Sequence, residues 1–214
     1  MIQKMREPVS GLIHIAGAVF AVIGMIVLYR QGGNSYPENL ALLIYGISLT
    51  LLFSASGIYH LTAASPKTIA ALRKLDHAAI YLLIAGSYTP FCIIAFDGFW
   101  RTGFLALIWL LAFIGVGVKI FIIQAPRWVT AGVYVVMGWL SVFAAGEMLT
   151  SLPTGALVWL VAGGLIYTAG AVVYITKRMD FVPGVFGFHE VWHIFVLLGA
   201  AAHYIAILRL VNAA

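Results

Sequence analysis

Apolar residues run along this chain in seven long blocks, each close to the roughly 20 residues that carry a helix across the hydrocarbon of a bilayer. The blocks extend approximately from Ser10 to Tyr29, Asn39 to Leu61, His77 to Phe96, Thr102 to Ile123, Trp128 to Leu149, Thr154 to Thr176 and Phe188 to Leu208. Breakers separate them: Gly32, Gly33 and Pro37, then Pro66, Asp97 with Gly98, Pro126, Pro153, and Pro183 with Gly184. Blocks this uniform offer water no polar face, so the pattern predicts an all-α membrane protein, a seven-transmembrane helix bundle forming one domain over residues 1–214. The first block follows Lys4 and Arg6 as a signal peptide would, but it stays apolar beyond Ala18 and no small-residue cleavage site closes a short core. It reads as a retained helix.

Composition agrees. With 63% hydrophobic residues, 9% charged and a mean hydropathy of +1.05, the chain has too little polar surface to cover a soluble globule. A net charge of +5 would suit a nucleic-acid partner if the basic residues formed a stripe, but they are scattered between the apolar blocks. They serve as topology signals instead. Counted by alternate loops, one side receives Lys4, Arg6, Lys67, Arg73, Lys74, Lys119, Arg127, Lys177 and Arg178, and the other Arg30, Arg101 and Arg209. Nine against three sets the N-terminus in the cytoplasm and, after seven spans, the C-terminus outside. The single cysteine, Cys92, lies within an apolar block and reads as core packing, which excludes a disulfide framework. Gly115, Gly117, Gly163, Gly164 and Gly170, also inside blocks, permit close helix approach, and Trp100, Trp128 and Trp139 read as interface anchors and packing.

That topology organises the few polar residues. His60 ends the second span at the cytoplasmic side, Asp76 begins the third after a short basic loop, and His189 and His193 open the seventh from the same face. Residues four apart stack on one side of a helix, which pairs Ser56 with His60 and His189 with His193. Five polar groups from three helices are thereby expected at one depth, where ionisable residues are costly and mark function. Singly, each has a plainer reading: a histidine near a helix end is commonly a satisfied interfacial residue, and Asp76 could cap the third helix. Together they suit a metal. Three neutral histidine nitrogens bind Zn²⁺ and leave a fourth position for water, whose pKa the ion lowers towards 7. Asp76 would offset the charge and accept that water's proton, and Ser56 could donate a hydrogen bond to the water or to a substrate oxygen. His203, ten residues beyond His193, lies about 15 Å further along the helix, too far to share the ion. His77 is rotated by about 100° from Asp76, and Glu7 and His14 are secondary candidates near the same face. Residues 189–193 read HEVWH, the His-Glu-x-x-His pattern of zinc metalloproteases with Glu190 as base. His60 and the absence of a later aspartate ligand favour three histidines with Asp76 over that reading.

The stretch SASGIYHLTAASPKTIAALRKLDHAAIYLLIAGSYTPF, with HEVWHIFVLLGAAAHY near the C-terminus, resembles the hemolysin III branch of the progestin and adipoQ receptor (PAQR) family. Ser56-x-x-x-His60, Asp76 and His189-x-x-x-His193 occur in the family's order. The resemblance implies a seven-helix bundle in the bacterial cytoplasmic membrane with zinc on His60, His189 and His193, Asp76 and Ser56 beside the metal's water, and Glu190 without a catalytic part. Some family members resemble ceramidases, which implies a zinc-dependent hydrolase of lipid amides or esters linked to membrane-lipid homeostasis, with a membrane lipid as substrate or ligand. Family receptors imply an alternative, a non-enzymatic membrane sensor or regulator with structural zinc. Pore formation rests on the branch's name alone.

Overall fold

The computed structural model describes residues 5–32, 35–121, 125–182 and 185–213. Lys4 of the charge count, the breakers Gly33, Pro183 and Gly184, and Ile123 at the end of the fourth block lie outside them. The described residues form α1 (Pro8–Gln31), α2 (Tyr36–Leu61), α3 (Pro66–Ile94), α4 (Gly98–Phe121), α5 (Arg127–Trp139), α6 (Ala145–Ser151), α7 (Thr154–Thr176) and α8 (Phe188–Val211). A 3₁₀ turn, Leu140–Ala144, joins α5 to α6, and the three together make one span. Seven helical units are long and apolar enough to cross a membrane, and the described residues contain no strands beyond one isolated bridge. Large apolar side chains such as Phe20, Phe113 and Phe143 are 69%, 60% and 75% exposed, the surface a lipid environment covers.

Neighbours in sequence pack side by side from α1 to α4, α7 packs along α8, and contacts between α1 and α8 join the two ends of the chain. Close approach between α7 and α8 depends on missing side chains: a methyl group on Gly163 would overlap the His203 ring, and one on Gly170 would overlap Phe195. Gly115 makes the same room for Tyr81, whereas Gly117 meets nothing within 4 Å and does not serve the close approach expected of it.

Two spans differ from their expected form. The third does not begin at His77 after a basic loop. α3 starts at Pro66, with Ser65 as its N-cap accepting from the Thr68 backbone N–H at 3.3 Å, so Lys67, Arg73 and Lys74 ride on the first turns of the helix. Asp76 is therefore the eleventh residue of α3, about 15 Å in from its start, and not its cap. The fifth span, expected to be continuous, breaks at Leu140. The Tyr88 hydroxyl of α3 sits in the break, donating towards the carbonyls of Gly138 at 2.6 Å and Met137 at 3.0 Å and accepting from Ser141 N–H at 2.9 Å. Backbone groups released from the helix are thus satisfied inside the bundle, as an apolar surround requires.

Candidate metal centre

Up-and-down helices bring alternate ends together. His60 is the second-last residue of α2, His189 and His193 lie in the first turns of α8, and Glu7 immediately precedes α1. The ligand atoms of His60, His189 and His193 all fall within 4.8 Å of one another. His60 and His193 are only 2% and 3% exposed, and His189 is half-buried. Nε2 of His189 and Nε2 of His193 face each other at 3.0 Å. A tetrahedral ion with bonds of 2.0–2.1 Å needs nitrogens roughly 3.3 Å apart, so this triad could hold a metal ion after small rotations.

The remaining ring nitrogens decide which atoms are offered. Nδ1 of His60 is in direct hydrogen-bonded contact with Glu7 Oε2. A carboxylate only accepts, so Nδ1 carries the proton and the Nε2 lone pair is left for a metal. The bond from His60 holds the Glu7 carboxyl below the usual carboxylate range against its partial burial, with Arg6, 3.2 Å away, adding to the effect. Nδ1 of His193 lies 2.7 Å from Nε2 of His14, a fully enclosed ring on α1. Ser10, one turn before His14, donates to Glu190 Oε1 at 2.8 Å. Glu7, Ser10 and His14 thus form one stripe of α1 at the spacing i, i+3, i+7, Glu7 gripping α2 at His60 while Ser10 and His14 grip α8 at Glu190 and His193. Glu7 and His14 were expected near this face without assigned partners. Ser10 was missed, although its place on that helical face was readable. Non-ligating ring nitrogens held this way orient the ligands and raise their basicity. Glu7→Gln should weaken metal affinity by roughly 10- to 100-fold, measured by competition with a chelating indicator. An unchanged affinity would show that the Glu7 contact has no part in metal binding.

Glu190 is occupied structurally. Its Oε2 accepts the Gly187 backbone N–H at 2.9 Å, closing the first turn of α8, while Oε1 takes the Ser10 bond. That commitment removes it from the protease pattern. His203 stands away from the triad, edge-on to Tyr167 with ring centroids 5.3 Å apart. His77 is tied to its own helix, its Nδ1–H donating to the Arg73 carbonyl at 2.7 Å.

Asp76 and Ser56 share the wall of one cavity with Glu7, His14 and the triad. Asp76 is within electrostatic reach of Ser56, His60 and His77, and the Ser56 side chain is enclosed at 2% exposure. The cavity measures about 780 Å³, in the range of small-molecule sites. Beyond this polar end its walls are largely apolar, including Leu83, Ile84, Phe91, Phe104 and Val196. Lys119 and Phe104, fifteen residues apart on α4, both line it, a reach of about 22 Å.

A helical membrane protein of seven spans, with a buried histidine triad set in the polar end of a long apolar cavity, defines the class. Residues 2–204 match the family model described as Haemolysin-III related. The chain is similar to Hemolysin-3 of Bacillus cereus, 34% identical with 97% of this chain and 93% of that protein covered. It is also similar to a Hemolysin-3 homolog of Bacillus subtilis, 32% identical over 95% and 93%, and to the human Monocyte to macrophage differentiation factor, 30% identical over 87% and 76%. It belongs to the hemolysin III branch of the PAQR family.

Proposed function

We propose that this protein is a zinc-dependent hydrolase of lipid amides or esters, ceramidase-like in chemistry and serving membrane-lipid homeostasis. The basic end of the bundle faces the cytoplasm, by the excess of Lys and Arg there. One observation carries the reading: the histidine triad, Asp76 and Ser56 line a single cavity whose other walls suit an acyl chain. Zinc at the triad would supply a Lewis acid and an acidified water. Asp76 takes the proton from the attacking water and returns it to the leaving group. Ser56, four residues before His60 on the same helical face, donates to the oxygen that gains charge as the carbonyl is attacked. The apolar walls of the cavity hold the chain and keep bulk water away.

The test is release of fatty acid by purified, zinc-loaded protein from a panel of ceramides, other acyl amides and acyl esters. Cleavage of at least one member that stops on chelation and returns with zinc is expected. Protein that retains one metal per chain yet cleaves nothing in the panel would instead favour a sensor or regulator. For that second reading the favouring observation is mechanical: the polar contacts at the triad tie α1, α2 and α8 together at one end.

A further inference from the structure

Three cations also line the polar end of the cavity and are used by neither the triad nor Asp76: Arg73 on α3, Lys119 at the end of α4 and Arg127 at the start of α5. Lys119 is the informative one. It is 6% exposed, its ammonium donates to Thr130 Oγ1 at 2.9 Å, and its two other N–H groups have no hydrogen-bond partner among the described residues. A charge counted by the positive-inside rule needs only to reach water, whereas this one is enclosed. No carboxylate lies within ion-pair distance of Arg73, Lys119 or Arg127 among the described residues. Glu7 is paired with His60 and Arg6, and Glu190 with Gly187 and Ser10; Asp76, beside Ser56, shares the cavity and sets one carboxylate against three cations.

Arg127 is held in a way that leaves its donors open. Its guanidinium lies over the Phe188 ring at 5.2 Å and the Tyr174 ring at 5.6 Å, contacts with rings that accept none of its N–H donors in conventional hydrogen bonds and so leave them for an anion. Arg73 is within electrostatic reach of both Lys119 and Tyr174, so the three cations act on one volume. Like charges brought together beside a cavity repel one another unless an anion joins them, and basic pockets between transmembrane helices near the cytoplasmic face bind anionic lipid headgroups.

We infer that this cavity takes a lipid with an anionic, phosphate-bearing headgroup, the phosphate held by Lys119, Arg73 and Arg127 and the chain running past Ile84 towards Phe104. The inference rests on reading the cavity as an acyl site, and it narrows the proposed substrates to those with an anionic head. The reach of about 22 Å from Lys119 to Phe104 exceeds the roughly 15 Å of one leaflet's hydrocarbon, so a single long chain fits beneath a head at the cations.

The experiment compares two ligands that cannot be hydrolysed, a hexadecyl ether of glycerol phosphate and neutral hexadecylglycerol, titrated into the full-length protein and read by native mass spectrometry. The phosphate lipid should bind at least about tenfold more tightly. Lys119→Met should remove most of that preference while leaving the neutral lipid's affinity unchanged, and Lys119→Arg should restore it. Arg73→Gln with Arg127→Gln, both at exposed positions, should give the same loss and covers the case in which Lys119→Met fails to fold. Equal binding of the two lipids, or a preference that survives both sets of substitutions, overturns the proposal. Inorganic phosphate distinguishes the sources of the anion: displacement of the lipid at comparable concentrations would make a free anion the ligand and also overturn it. Because the ethers contain no acyl bond, this outcome is independent of turnover. Absence of hydrolysis in the acyl panel would leave a measured headgroup preference standing.

Discussion

Replacing His193 with alanine should empty the metal site and remove the stability that the metal confers. His193, only 3% exposed, is a position at which one substitution breaks two links at once. Its Nε2 faces His189, and its Nδ1 holds His14 on α1. Zinc sites with a full ligand set bind with about 10–16 kcal/mol. Loss of one ligand among three should therefore cost on the order of a hundredfold or more in affinity. At a metal concentration 100 times the dissociation constant, the wild type gains about 2.7 kcal/mol from binding. That increment should vanish in His193→Ala and also in chelated wild type, so the melting curves of the two should move towards each other. A residual gap reports the cavity and the unpartnered His14 left by the substitution. His203→Ala supplies the control, since His203 packs against Gly163 and Tyr167 away from the triad. It should change stability without changing metal content. A metal affinity in His193→Ala equal to that of wild type, measured by competition with a chelating indicator, would remove the triad from consideration as the binding site.

How much of this was readable from the chain depends on which physical signal each element carries. The seven spans were legible because membrane helices need only length and continuous apolarity, and the observed units match those blocks closely. The first ten residues of α3 were not, because a search for apolar runs cannot see a helix that continues past charged residues. A local signal was present nonetheless in Ser65 as cap and Pro66 in the first turn. The break in the fifth span has no such signal. It depends on the Tyr88 hydroxyl, which lies 50 residues away from Gly138 in sequence and reaches it only when α3 and α5 pack together.

The candidate site divides along the same line. Ser56 with His60 and His189 with His193 share faces by helical spacing, and alternate ends share a membrane side by topology, so their convergence could be argued before any fold was known. The partners of α1 could not. Glu7, Ser10 and His14 fall on one stripe by spacing, but that Glu7 meets His60 while His14 meets His193 follows from α1 contacting both α2 and α8. Lys119 shows the opposite hazard. Its charge was read as part of a topology count, and that reading concealed its enclosure beside Thr130.

Asp76→Asn should separate a working hydrolase from a zinc-stapled regulator. Asparagine keeps the size and hydrogen-bonding reach of the side chain but cannot take up a proton, so it tests chemistry with the least change in packing. Asp76 lies outside the set of atoms that could hold a metal, and the variant should bind zinc one to one with a melting temperature close to that of wild type. General base catalysis contributes roughly 10²- to 10⁴-fold, and turnover of whichever acyl substrate the panel yields should fall by that factor. Ser56→Ala should lose on the order of a hundredfold, the cost of one donor to a developing oxyanion, because the hydroxyl helps only when charge appears on the carbonyl oxygen. Both losses should appear in kcat with KM little altered, since the chain is bound by the apolar walls. A regulator built on structural zinc predicts a different pattern: Asp76→Asn leaves metal content, stability and biological effect intact, and only the histidine substitutions matter. Full turnover by an Asp76→Asn protein would exclude Asp76 as the base and move the search for it to Glu7, a carboxylate that also lines this end of the cavity.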